Sequence, residues 1–177
     1  MRLKPHKTAA VIIDFQEKLF PHMADHETLA ASAAKLAAGL KLFEVPTLIT
    51  QQYTKGLGAT LPTLGFEGTV YEKMDFSVFR QETFSEGLRK LHKKHLIIAG
   101  IEAHICVMQT CLDLIEAGYK LFVCEDAIGS RDPKNRQNAV ERLRAAGACI
   151  TNVESVLFEL CGTAQHEQFK ALSKLVK

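Results

Sequence analysis

Residues 9–14 have the sequence AAVIID, in which five apolar residues are followed by Asp14. A short run that is apolar at every position is typical of a strand covered on both faces. A second strand is predicted at residues 95–99, where the apolar run LIIA follows His95. These two stretches predict a parallel sheet with helices on both sides.

Strand and helix patterns alternate along the whole chain. Further strands are predicted at 47–49, 69–72, 119–124 and 149–152. Helices are predicted at 29–43, 84–92, 104–117, 135–146, 153–160 and 164–175, and the glycine-rich residues 52–68 are predicted to form a loop. This order predicts one α/β domain over residues 1–177, a three-layer α/β/α sandwich around a mostly parallel, Rossmann-like sheet of six strands.

The composition excludes several classes of protein. The net charge is +2 and no run of Lys or Arg exceeds two residues, so we expect no nucleic-acid partner. No apolar run approaches the ~20 residues that cross a bilayer, so we expect no membrane partner. The basic start, MRLK, is not followed by the apolar core of a signal peptide, which predicts a cytoplasmic protein. The five cysteines form no C-x-x-C pair and are expected to be reduced.

Polar residues follow three of the predicted strands, at the edge where open parallel sheets bind ligands. Asp14 follows the first strand, Lys73 follows residues 69–72, and Cys106 lies beyond residues 95–99. Cys106 falls in the first turn of a predicted helix, where the helix dipole should favour the thiolate. Taken singly, each has a commoner explanation, namely a turn-capping Asp, a surface lysine and a buried cysteine.

Other catalytic chemistries lack their motifs. The glycines at 56 and 58 have no third partner at the offset of a dinucleotide site, and no serine-hydrolase, zinc-protease or P-loop motif occurs. His22 and His26 have no apparent third metal ligand. His104, two residues before Cys106, should point to a different face of the helix. We therefore expect no metal and no other cofactor.

Three separated motifs resemble the isochorismatase-like cysteine hydrolase superfamily. They are VIIDFQ at 11–16, EKMDFSVF at 72–79 and AGIEAHICV at 99–107. The resemblance continues through residues 126–131 to 152–158. Within the superfamily, QQY at 51–53, KGLG at 55–58 and GIEAH at 100–104 are most similar to the small isochorismatase domain-containing proteins.

The resemblance implies a catalytic triad of Asp14, Lys73 and Cys106. It also implies a cis peptide bond between Ile101 and Glu102, with the backbone N–H groups of Glu102 and Cys106 forming an oxyanion hole. Glu102 stands where the family often has a small residue. In the implied mechanism, Asp14 accepts the thiol proton, Lys73 stabilises the ion pair, and the thiolate attacks a carbonyl to form a thioester that water hydrolyses.

The expected substrate is a small molecule with an amide-like C–N or acyl bond. Nicotinamidases of the superfamily bind a metal through Asp and His after the second strand, whereas this chain has QQYTK at 51–55, which argues against both metal and nicotinamide. Isochorismate cleavage is vinyl-ether hydrolysis and needs no cysteine nucleophile. The candidate pocket residues are Gln16, Gln51, Tyr53, Phe76 and Phe79.

The resemblance also implies a homo-oligomer. Two alternative functions remain at this point. One is a low-turnover protein of the same fold that acts as a small-ligand binder or oligomeric scaffold. The other is a redox-sensing cysteine protein, for which Cys111, on the same predicted helix as Cys106, is poorly placed as a resolving thiol.

Overall fold

A six-stranded sheet forms the centre of the computed structural model, which describes residues 2–177. The strands are β1 (Thr8–Ile13), β2 (Thr47–Gln52), β3 (Thr69–Lys73), β4 (His95–Ile101), β5 (Lys120–Gly129) and β6 (Cys149–Thr151). Their order across the sheet is β3-β2-β1-β4-β5-β6, and all neighbouring strands are parallel. The predicted fold class is confirmed.

Helices cover both faces of the sheet. They are α1 (His26–Leu42), α2 (Thr54–Leu57), α3 (Glu82–Lys90), α4 (Met108–Glu116), α5 (Pro133–Ala145), α6 (Val153–Cys161) and α7 (Phe169–Leu175). Alternate residues of β1 serve the two layers, because successive side chains of a strand point to opposite faces. Ala10 and Ile12 pack with α1, α6 and α7, whereas Val11 and Ile13 pack with α3, α4 and α5. None of the helices within residues 2–177 is long and apolar enough to cross a membrane.

Several element boundaries differ from the prediction. β5 continues through the polar Glu125 and Asp126 to Gly129, and its pairing with β4 shifts register between Ile98 and Gly100. The predicted helix 104–117 starts as a π-helical turn, Ala103–Val107, before α4 begins. α2 lies within the predicted loop. These departures depend on tertiary pairing, which local sequence patterns do not report.

The strand order reverses between β1 and β4. β2 and β3 lie on one side of β1, and β4, β5 and β6 lie on the other side. Gly100, with φ 144°, allows a close approach here, since a Cβ atom at this position would collide with the backbone oxygen of Ile13. The carboxyl ends of β1 and β4 therefore lie side by side, which is where open α/β sheets bind ligands.

Candidate active site

Asp14 lies directly after β1 and is completely buried. Its φ of 52° is in the left-handed region, which Asp adopts more readily than most residues. One carboxylate oxygen accepts a hydrogen bond from the Thr50 hydroxyl at 2.6 Å, and the other lies 2.7 Å from the Nζ of Lys73. The register of β1 and β2 brings these groups together, because Ile13 pairs with Thr50.

The ammonium group of Lys73 is surrounded by oxygen atoms. Besides Asp14, its Nζ donates to the Gln52 side-chain oxygen at 2.6 Å and to the backbone oxygens of Phe76 and Asp75 at 3.1 and 3.3 Å. Gln52 and Lys73 are paired residues of β2 and β3. This arrangement suits a group with three N–H donors and no acceptor, and it fixes the positive charge against Asp14.

Cys106 lies in the π-helical turn after β4, with only 6% of its surface exposed. Burial, followed by the negative charge of Asp14, raises the pKa of the thiol to about 12, while the positive charge of Lys73 opposes the shift. Asp14 and Lys73 are therefore close enough for both of their charges to act on the thiol. The expectation of a thiolate favoured by the helix dipole is therefore wrong for this state, because desolvation and the adjacent carboxylate outweigh the dipole.

The structure thus brings together the three residues expected from the sequence. It adds Thr50 and Gln52, which sequence reasoning did not identify. Thr50 and Gln52 are two positions apart in β2, so their side chains lie on the same face of the strand. Thr50 bonds to Asp14, and Gln52 bonds to Lys73. The change from the apolar Leu48 and Ile49 to three consecutive polar residues, 50–52, was the available signal.

The peptide bond between Ile101 and Glu102 is cis. The Glu102 side chain is buried, and its carboxylate accepts hydrogen bonds from the backbone N–H and the Nε of Arg131, each at 3.0 Å. The neighbouring His104 ring contacts the Ser130 hydroxyl at 3.0 Å. The turn that carries Cys106 is therefore tied to the segment that follows β5.

The predicted pocket residues occupy different places. Gln16 is completely buried, and its side-chain amide bonds to backbone groups of Gln52 and Gly58, so it braces the site from behind and is not exposed to a ligand. The Gln51 amide donates to the Thr60 hydroxyl at 3.0 Å. Phe79 packs edge-on against Tyr119 in the core between the sheet and α3, α4 and α5.

Tyr53 and Phe76 are exposed by 51% and 53%, respectively, on the β3 side of the site. A pocket of about 540 Å³ lies there, lined by Tyr53, Thr54, Lys55, Glu72, Lys73, Met74 and Gln81. Among the predicted pocket residues, Tyr53 is the one that lines this pocket. Within residues 2–177, no group of three or more His, Cys, Asp or Glu side chains is arranged to hold a metal ion.

Comparisons with known proteins identify the family. The Isochorismatase domain family model matches residues 8–155. The bovine isochorismatase domain-containing protein 2 is 36% identical over 177 residues, covering 99% of this chain and 86% of the relative. The secreted isochorismatase effector Isc1 of Phytophthora sojae is also 36% identical, over 183 residues, covering 99% of this chain and 87% of the effector.

Solved structures share the whole fold. The MAR1 ribonuclease of Caenorhabditis elegans superimposes with a TM-score of 0.93 at 33% identity, covering 99% of this chain and 92% of that one. The YcaC protein of Escherichia coli, an octameric hydrolase of unknown specificity, has a TM-score of 0.93 at 26% identity, covering 98% and 88%. A parallel α/β sandwich with an acid and a cysteine at the strand-order reversal and a lysine at the end of β3 has the fold of the isochorismatase-like hydrolases. The chain belongs to the isochorismatase family, as its sequence motifs predicted.

Proposed function

We propose that this protein is a metal-independent cysteine hydrolase that cleaves a small amide-like substrate through a thioester. The observation that carries the proposal is the buried ion pair of Asp14 and Lys73, whose two charges both act on the Cys106 thiol. Buried acids are rarely placed beside a lysine and a cysteine for packing alone, and buried charged groups of this kind concentrate at functional sites.

The first step is proton transfer. The resting thiol is neutral, since its pKa is raised to about 12, so it needs a base when substrate arrives. Asp14 is the base, because it is the carboxylate whose charge acts on the thiol. Lys73, held by Gln52 and two backbone oxygens, then stabilises the thiolate without moving.

The second step is attack on the carbonyl carbon of the substrate. The sulfur–carbon bond forms as the carbonyl oxygen becomes an oxyanion, which the backbone N–H groups of Glu102 and Cys106 bind. Such donors contribute about 2.7–4 kcal/mol each. The C–N bond then breaks, and the proton on Asp14 passes to the leaving amine. Water next attacks the thioester, with Asp14 taking its proton, and Cys106 is released as a thiol.

The wider assignments are proposals of the same kind. The 540 Å³ pocket, which Lys73 lines but Asp14 and Cys106 do not, is large enough for a small molecule beside the site. The net charge of +2 offers little attraction to nucleic acid. Homo-oligomerisation is supported by the octameric state of E. coli YcaC. A cytoplasmic location and the absence of a cofactor stay predictions, and one relative is a secreted effector.

The experiment is an ammonia-release screen of ureido, carboxamide and carbamate compounds on the wild type and on Cys106→Ala. Cys111→Ala is the matched control, because Cys111 is an equally buried thiol in α4 without a charged partner. Turnover that is lost in Cys106→Ala and kept in Cys111→Ala is the expected result.

Two other outcomes would replace the proposal. Saturable binding of a panel compound without turnover favours the alternative of a small-ligand binder or scaffold. RNA cleavage that survives in Cys106→Ala favours a nuclease, the activity named for the C. elegans relative. The RNA assay therefore belongs in the same screen.

A further inference from the structure

The hydroxyl of Ser77 is buried and has no hydrogen-bond partner among residues 2–177. The residue is 1% exposed. It precedes the short 3₁₀ turn Val78–Arg80, a position at which serine commonly accepts a hydrogen bond from a backbone N–H, yet its side chain makes no such bond. Buried polar groups without partners are few in native proteins, and each one calls for an explanation.

The neighbours of Ser77 connect the two sides of the proposed active site. The backbone oxygen of Phe76 accepts from the Lys73 ammonium at 3.1 Å. The backbone N–H of Val78 donates to the Thr110 hydroxyl at 3.2 Å, and Thr110 lies four residues after Cys106. Because consecutive Cα atoms are about 3.8 Å apart, Ser77 lies within a few ångströms of both anchors.

Unpartnered polar atoms are concentrated around Lys73. Three buried side-chain oxygens of the described chain have no hydrogen-bond partner, and they belong to Asp14, Thr54 and Ser77. The Asp14 oxygen is ion-paired with Lys73 and is therefore satisfied, whereas Thr54 lines the pocket that Lys73 also lines. The hydroxyls of Thr54 and Ser77 are thus the two unsatisfied groups beside the site, and a bound ligand would supply a missing partner.

We propose that Ser77 binds the amide group of the substrate. The inference rests on the proposed function and adds a substrate-contacting residue to it. The oxyanion hole takes the carbonyl oxygen, which leaves the amide N–H as the group in need of a partner. A serine hydroxyl can accept that hydrogen bond, and the accepted bond orients the leaving nitrogen. The preferred substrates are therefore amides that carry at least one N–H.

Acrylamide tests this contact without knowledge of the natural substrate. Its carbon–carbon double bond adds the Cys106 thiol, so that a sulfur–carbon bond forms and the thiol proton ends on the neighbouring carbon. Methyl vinyl ketone undergoes the same addition but has no amide N–H. Peptide mass spectrometry follows the modification of Cys106 in the wild type and in Ser77→Ala. The measured quantity is the ratio of the second-order rate constants for acrylamide and for methyl vinyl ketone.

We expect Ser77→Ala to lower the acrylamide-to-ketone ratio about 10-fold, the effect of one lost hydrogen bond. Ser85→Ala is the matched control, because Ser85 is also buried but its hydroxyl donates to the Glu82 backbone oxygen. Its ratio should stay at the wild-type value. The melting temperature of Ser77→Ala should be unchanged or higher, since the lost hydroxyl has no partner among the described residues.

The possible failures are distinguishable. An unchanged ratio in Ser77→Ala overturns the role of Ser77 and leaves the cysteine hydrolase intact. A lowered melting temperature with an unchanged ratio shows that Ser77 is structural and also overturns it. Failure of both probes to modify Cys106 in the wild type contradicts the nucleophile itself, and both proposals then fall.

Discussion

Cys106 and Cys111 lie five residues apart and are both buried, yet their surroundings differ. For Cys111, burial alone raises the pKa of the thiol. For Cys106, burial also raises the pKa, but the charges of Asp14 and Lys73 act on it in opposite directions. Burial is therefore common to both cysteines, and the buried ion pair is what distinguishes a candidate nucleophile from a core residue.

The backbone creates this difference. Cys106 sits in the π-helical turn just beyond β4, where the strand order reverses and the carboxyl end of β1 supplies Asp14. Cys111 is one helical turn further on, within α4, among apolar side chains of the core. About one helical turn along the chain thus separates Cys106, which lies beside charged groups, from Cys111, which packs in the apolar core.

The largest expected effect is on turnover. Cys106→Ala should reduce amide hydrolysis by on the order of 10⁴-fold or more, because the covalent intermediate can no longer form. Cys111→Ala should keep turnover within a few-fold of the wild type. Ammonia release measures turnover in both variants, and similar losses in both would show that Cys106 matters no more for turnover than Cys111 does.

The ion pair can be broken from the lysine side. Lys73→Met should lower the free energy of unfolding by about 3–5 kcal/mol, because Asp14 is left buried without its counter-charge. Lys41→Met is the control, since the pair of Lys41 with Glu67 is exposed and should contribute less than about 1 kcal/mol. Urea unfolding measures both variants. Equal losses would mean that Lys73 and Asp14 are no more coupled than a surface pair.

Removing the acid should separate thiol reactivity from catalysis. Asp14→Asn keeps a side chain that tolerates the observed φ of 52° but removes the negative charge. Since that charge raises the pKa of Cys106 and Lys73 lowers it, the pKa should fall in the variant. Iodoacetamide should then label Cys106 about 10-fold faster at pH 8 for each unit of the fall, although hydrolysis is lost. Slower labelling of Cys106, with Cys111 as the internal reference, would reverse the assigned role of Asp14.

The apolar runs predicted the parallel sheet, and the family motifs predicted which residues form the triad. Asp14 and Cys106 follow apolar strands and Lys73 ends the more polar β3, so all three lie at the carboxyl edge of the sheet, while their catalytic role stays a prediction. Thr50, Gln52 and Ser77 could not be identified in this way. Their importance lies in which atoms they contact or leave without a partner, and these contacts depend on strand register and on side-chain burial.

The pKa of Cys106 shows the same limit. Its helix-turn position alone indicated a thiolate, whereas the raised pKa follows from burial and from the distance to Asp14. Gln16 is another example, since a polar residue after β1 was expected in the pocket but is completely buried against backbone groups. Local patterns identify where chemistry is concentrated, and tertiary contacts decide which groups face the ligand.

The smallest effect concerns the opposite end of β4, where His95 is buried. Burial raises the pKa of a thiol but lowers the pKa of His95, because the histidine is charged when protonated, and Lys120 and Lys4 reinforce the shift. In the unfolded chain His95 therefore binds a proton near pH 6.5, whereas in the folded chain it does not. The free energy of unfolding should consequently fall as the pH drops from 7 towards 5. His95→Gln should flatten this slope, whereas the exposed His92→Asn should leave it unchanged. Urea unfolding at pH 7, 6 and 5 tests this, and an unaltered slope in His95→Gln would show that burial at this end of the strand does not control the titration of His95.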